Sequence, residues 1–141
     1  MGRRVKYAPA PDVCRAVRII VSGLEEFGYI DLSRVHCVRS WGSRSLAIAR
    51  IYGLPRAWIV ALGVNPGYVI EVISERFDPL PGREKVAVLI HELLHIPRSF
   101  SGGLRPHGKL VNNRRVTSLL RLLGERGLLG EAIQAFRPLS E

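Results

Sequence analysis

Long apolar runs are missing from this sequence. None approaches the ~20 residues that cross a membrane as a helix, and the start Met1-Gly-Arg-Arg-Val-Lys6 lacks the apolar core of a secretory signal. These absences lead us to expect a cytoplasmic protein with no membrane partner. Cysteine is nearly absent: Cys14 and Cys37 stand alone and far apart, which excludes a disulfide framework and a Cys-x-x-Cys metal pair and leaves two small apolar residues. Acidic residues are also scarce, with 12 Asp plus Glu against 21 Lys plus Arg and a net charge of +9. Such a surplus raises nucleic acid as a partner. The basic residues are scattered, however, without an arginine-rich tail, a repeated motif or interleaved aromatics, and read first as a solvated surface.

What is present suffices for one folded domain. Of the 141 residues, 47% are apolar and 23% charged, enough to bury a core without disulfides. Residues 1–8 read as a loose basic arm and 9–141 as the domain. Pro9-Ala-Pro-Asp12 offers turn residues, with Asp12 as N-cap of an amphipathic helix. Val13, Ala16, Val17, Ile20, Val21, Leu24 and Phe27 recur at helical steps until Gly28 ends the pattern. Strand composition follows at Val35–Val38 and again from Leu46 through Ile51, stopped by Gly53-Leu-Pro55. Ala57–Leu62 and Tyr68–Ile73 read as two more strands. The turn-forming Gly63-Val-Asn-Pro-Gly67 makes them an antiparallel hairpin, either strand of which could be a sheet edge that binds an extended peptide.

The chemistry concentrates in Lys85-Val-Ala-Val-Leu-Ile-His-Glu-Leu-Leu-His-Ile-Pro97. A helix turns roughly 100° per residue, so His91 and His95 project about 40° apart and about one turn along one face, within reach of one metal ion. Glu92 lies roughly 60° around from His95, where a general base can touch water bound to that metal. Val86, Leu89, Ile90, Leu93, Leu94 and Ile96 cover most of the helix circumference. Two histidines and a carboxylate in so apolar a helix need a strong partner, because unpartnered buried polar groups are costly. Zinc fits this set. Glu84 suits the positive end of the helix dipole, with a role behind the metal site as the lesser reading. Pro97 disfavours helix at Ile96 and marks the end.

Beyond Pro97, Gly102-Gly103 permits the chain to reverse over the helix and return His107 as a third ligand. A catalytic zinc wants three protein ligands and one open position. His107 is the only histidine after His95, and the carboxylate alternatives, Glu125 and Glu131, fall in a helical C-terminal region. Asn112-Asn113 caps a helix running to Gly124, and a short one follows from Leu128 to Phe136. Arg114, Arg115, Arg121 and Arg126 form a basic face on this region.

The blocks His-Glu-Leu-Leu-His-Ile-Pro at 91–97 and Gly-Gly-Leu-Arg-Pro-His-Gly at 102–108 resemble the metallopeptidase domain found in archaea and phages. The similarity extends through Trp41-Gly, 49–55 and 68–77, so it covers residues 33–110. The resemblance implies a minimal zincin-like fold, zinc held by His91, His95 and His107, and Glu92 as the catalytic residue. It names no substrate. A metzincin would need a downstream methionine turn, and Met1 is the only methionine. A thermolysin-like site would require Glu125 and leave His107 without a role. Arg105, Tyr68 and His36 are candidates to stabilise a developing oxyanion, Arg105 foremost for its proximity to His107.

We therefore expect a single α+β domain: an N-terminal helix, a small mixed sheet of about four strands, the His91 helix and a helical C-terminus. The expected function is a zinc-dependent metallopeptidase acting on a peptide or protein substrate. The competing expectation is a basic, zinc-stabilised module that binds nucleic acid or protein without catalysis.

Overall fold

The computed structural model of the chain describes residues 4–137. It is a small α+β fold in which one mixed sheet of four strands, ordered β1-β2-β4-β3, carries helices against one face. The strands are β1 (Lys6–Pro9), β2 (Val35–Trp41), β3 (Ala49–Gly53) and β4 (Tyr68–Ile73). β2 and β4 run parallel through the middle, while β1 and β3 pair antiparallel on the two edges.

Alternation along β2 and β4 sends Val35, Cys37, Tyr68, Ile70 and Val72 into the core. α1 (Pro11–Gly23) buries Val13, Ala16, Val17, Ile20 and Val21, the stripe legible in the sequence. Each large side chain in it is worth about 1.5–3 kcal/mol of burial. Asp12 is not the N-cap. Ala10 holds that position, Pro11 starts the helix where no N–H is needed, and Asp12 in the first turn grips Arg39 instead. The helix also stops earlier than expected, because Leu24 turns extended and Glu25–Phe27 forms a separate 3₁₀ turn that still buries Phe27.

Three strand expectations are corrected. The loose arm expected over residues 1–8 is partly sheet, since Lys6–Pro9 pairs with Val38–Trp41 along a regular antiparallel register; residues 1–3 lie outside the described residues. The strand read from Leu46 begins only at Ala49, the preceding residues forming an irregular approach. Ala57–Leu62 is not a strand: Arg56–Leu62 is a helix, α2, ended by Gly63 in the left-handed region at φ 63°. A short apolar run does not itself distinguish strand from helix, and Pro55 ahead with a left-handed glycine behind decides for helix. No hairpin joins Ala57–Leu62 to Tyr68–Ile73. β4 lies inside the sheet, whose edges are β1 and β3.

After α3 (Ser74–Phe77), α4 (Gly82–Leu94) crosses the covered face and packs on β3, with α5 (Asn113–Glu125) and α6 (Leu129–Gln134) against it. The Asn112 side chain caps α5 by accepting from the Arg115 N–H at 2.9 Å, as its composition predicts. Among the described residues, no helix is long and apolar enough to cross a membrane.

Candidate metal centre

α4 carries His91 and Glu92 in its last turn, and His95 closes it. The turn tightens here: His95 N–H donates to Glu92 O, and Ile96 N–H to Leu93 O, both at 3.1 Å and three residues back. Pro97 then prevents continuation. Val86, Leu89, Ile90, Leu93 and Leu94 are buried, so the helix is fixed on several sides and the imidazoles leave along its remaining face.

The segment from Pro97 to Val111 returns over that face, and particular contacts hold it. Phe100 takes a left-handed conformation at φ 46°, rare for a bulky residue, and its ring meets Tyr68 edge-on at 4.9 Å. The buried Tyr68 hydroxyl accepts from Gly102 N–H at 2.8 Å and donates to Gly103 O at 2.9 Å. Gly102 sits at φ 99°. A Cβ at Gly53 would overlap the Gly102 carbonyl oxygen, so the end of β3 and the turn touch backbone to backbone. His95 and Arg105 then pair reciprocally: Arg105 N–H donates to His95 O at 2.7 Å, and His95 Nδ1 lies 2.6 Å from Arg105 O. This pairing brings His107 over α4.

The three imidazoles converge. His91, His95 and His107 offer nitrogens that all lie within 4.8 Å of one another, and no other cluster of at least three His, Cys, Asp or Glu able to hold a metal occurs among the described residues. A carbonyl only accepts, so His95 Nδ1 carries the hydrogen toward Arg105 O, which leaves Nε2 as the nitrogen that can face a metal. His91 Nε2 faces His107 Nε2 at 3.0 Å. Burial, then the neighbouring His95 and His107, hold the His91 imidazole below its usual pKa and therefore neutral. Three imidazoles with nitrogens this close together fit a divalent cation.

Beside them, Glu92 is only 8% exposed, yet its carboxylate makes no hydrogen bond with any described residue. Burial alone pushes its carboxyl up to about 7. A buried, partnerless carboxylate costs several kcal/mol if charged, which ordinary packing does not explain. Glu92 lines two adjoining hollows with His91. One, about 450 Å³, lies over the imidazoles between Ala49–Ile51 of β3 and the Leu104–His107 loop; the other, about 420 Å³, opens beside Ala87 and Val88.

The remaining candidates fall elsewhere. Arg105 lines the first hollow through its loop, but its guanidinium lies over the Tyr29 ring and donates to the Tyr29 hydroxyl at 3.3 Å. Tyr68 uses its hydroxyl on the loop backbone, and His36 is exposed on the opposite pleat of β2. Glu84 is exposed at the start of α4, and Glu125 and Glu131 are exposed on the C-terminal helices, outside the imidazole cluster. Within the α5 basic face, Arg115 pairs with Glu26 and Arg126 donates to Gly23 O at 2.8 Å. Sequence reading missed β3 as the wall of the site and Ala87 as a lining residue, although Ala87 stands one helical turn before His91.

Residues 5–125 match the sequence model of the family described as "Putative phage metallopeptidase". The chain belongs to that family. The match reaches well beyond residues 33–110, taking in β1, α1 and all of α5. No curated protein and no solved structure matches the chain. Membership in a metallopeptidase family implies a metal ion and a peptide substrate, and the His91, His95 and His107 group is able to hold such an ion.

Proposed function

We propose that this family member is a zinc-dependent peptidase, with His91, His95 and His107 as ligands and Glu92 as general base and acid. The observation that carries the reading is the buried Glu92 carboxylate, without a protein partner, opening into the same cleft as three convergent imidazoles. His91, His95 and His107 would hold the ion, their nitrogens lying within 4.8 Å of one another, and three protein donors would leave room for water or substrate.

Bound zinc supplies Lewis acidity, acidifying water and polarising a carbonyl at the open position. The chain's own groups do the rest. Glu92 takes a proton from the attacking water onto its carboxylate and delivers it to the leaving amine, so the peptide C–N bond breaks while the residue returns to its starting charge. His95 stays in one tautomer through Arg105 O. β3, an edge strand beside the cleft, offers unpaired main-chain groups to an extended substrate.

The test is metal analysis and proteolysis on zinc-loaded protein with a denatured protein as substrate. We expect fragments from wild type, and a Glu92→Gln variant that retains stoichiometric zinc and produces none. Equal fragmentation by both removes Glu92 from the mechanism.

A further inference from the structure

We infer that the hollow beside Glu92, walled by Leu46, Ile48, Ala87, Val88 and Val116, receives a large apolar side chain of the substrate next to the bond that is cut. This rests on the peptidase reading and names the class of peptide.

The hollow adjoins the cleft over the imidazoles: Ala49, His91 and Glu92 line both. A backbone laid along β3 with its carbonyl near the imidazoles therefore has an adjoining side-chain space of about 420 Å³. Its walls are apolar. The only ionisable groups lining it are His91 and Glu92, shared with the cleft, and Asn113 is its one uncharged polar side chain. A charged substrate side chain would lose hydration there and meet no charge beyond the His91 and Glu92 groups that the cleft already uses, whereas an aliphatic or aromatic one loses only contact with water. The alanines at 47, 49 and 87 keep the space open.

The rim gives a second reason. Leu46 is 80% exposed and Ile48 37% exposed, so two large apolar side chains stand at the entrance in contact with water. Their backbone is held: Ala47 N–H donates to Ser45 Oγ at 3.1 Å, Arg76 Nε to Ser45 O at 3.1 Å, and Ile73 N–H to Ile48 O at 2.9 Å. An apolar rim whose neighbouring backbone is tied down offers an apolar group contacts at a reduced entropic cost of binding.

The experiment uses zinc-loaded Glu92→Gln protein, which keeps peptides intact, and capped glycine peptides that carry Leu, Phe, Ala, Asp or Lys at one central position. Affinities come from NMR titration, which also locates the amides that shift. Expected is binding of the Leu and Phe peptides at least about tenfold tighter than the Asp and Lys peptides, with shifts centred on residues 46–49 and 87–88. Adding Ala87→Phe, which fills the hollow, should reduce that ratio to about threefold or less. Leu46→Asp, at an exposed position where folding is not at stake, should lower it in the same direction. Equal affinity across the series, or a preference that survives both substitutions, overturns the inference. The same peptides and a denatured protein are then given to zinc-loaded wild type. Cleavage indifferent to side chain sinks the pocket and leaves the peptidase standing; apolar-selective binding without any cleavage sinks the peptidase and leaves the pocket standing.

Discussion

Removing one oxygen atom far from the imidazole nitrogens should loosen the metal. Tyr68 lies on an interior strand, 1% exposed, and its hydroxyl makes two hydrogen bonds to the turn that returns His107: from Gly102 N–H at 2.8 Å and to Gly103 O at 2.9 Å. In Tyr68→Phe the ring stays, with its edge contact to Phe100, so the core of the sheet is unchanged. Gly103 is exposed and its carbonyl can turn to water, whereas Gly102 is half-buried and its N–H is left without its acceptor. A net loss of about 1–2 kcal/mol follows from one bond exchanged with water and one donor left partly unsatisfied. The loop carries His107, so this loss is felt wherever loop order is required, and metal binding requires it. Zinc affinity should fall about 5–30-fold. Competition against a chromophoric chelator measures it, beside thermal melts of the metal-free protein. If zinc affinity stays within about twofold of wild type while the metal-free melting temperature drops, the hydroxyl supports the fold generally and the loop-to-ligand argument is wrong.

Other substitutions probe the same construction from different sides. His107→Ala should lower zinc affinity by far more than Tyr68→Phe, because a donor is lost and not merely loosened; unchanged stoichiometry and affinity would move the third ligand elsewhere. Gly53→Ala places a Cβ against the Gly102 carbonyl, and since backbone cannot swing away as a side chain does, the loop must shift: expect weaker zinc binding with β3 retained by circular dichroism. Asp12 is held below its ordinary 3.8: burial would raise its pKa, but the Arg39 hydrogen bonds at 2.9 and 3.1 Å and the Arg39 charge outweigh it. A depressed carboxyl stabilises the fold above its unfolded pKa and loses that effect as pH falls through the lower folded one. Thermal melts between about pH 6 and about pH 2 should therefore decline more steeply for wild type than for Asp12→Asn, and parallel curves would refute the assignment.

How much of this was legible in the sequence depends on whether the deciding contacts are local. The spacing of His91, Glu92 and His95 is a helical property, and Pro97 and Asn112 act within a turn of themselves, so α4 and the start of α5 were readable. The position of His107 beside them was readable because Gly102-Gly103 marks the reversal and no other histidine follows. Ala57–Leu62 was not, since strand and helix share an apolar run of that length and α2 leaves Trp58, Val60 and Leu62 largely exposed, against the expectation from its composition. Lys6–Pro9 is held by pairing with Val38–Trp41, a partner distant in sequence, which no local pattern announces. Arg105 was singled out for its place two residues before His107. Its side chain packs on Tyr29, and what it offers the site directly is a peptide carbonyl, a group every residue has.

That carbonyl shows how a small fold can bring three imidazoles together from only one helix and one loop. His91 and His95 are fixed by α4, but a histidine on a long return loop is free to miss the metal by several ångströms unless the loop is tied close to it. The reciprocal His95–Arg105 pairing ties it two residues before His107 and orients His95 with the same carbonyl, so ligand orientation and loop placement are coupled. The Arg105–Tyr29 contact strengthens the tie from outside, with the Tyr29 hydroxyl donating to Ile96 O at the end of the α4 segment. Because the deciding atoms are main-chain, Arg105→Lys should change little at the metal, while an Arg105→Pro substitution, which removes the N–H given to His95 O, should release His95 and His107 together. Zinc affinity should then fall about as far as in His107→Ala; a fall no greater than that of Tyr68→Phe would show that the two ligands are placed independently.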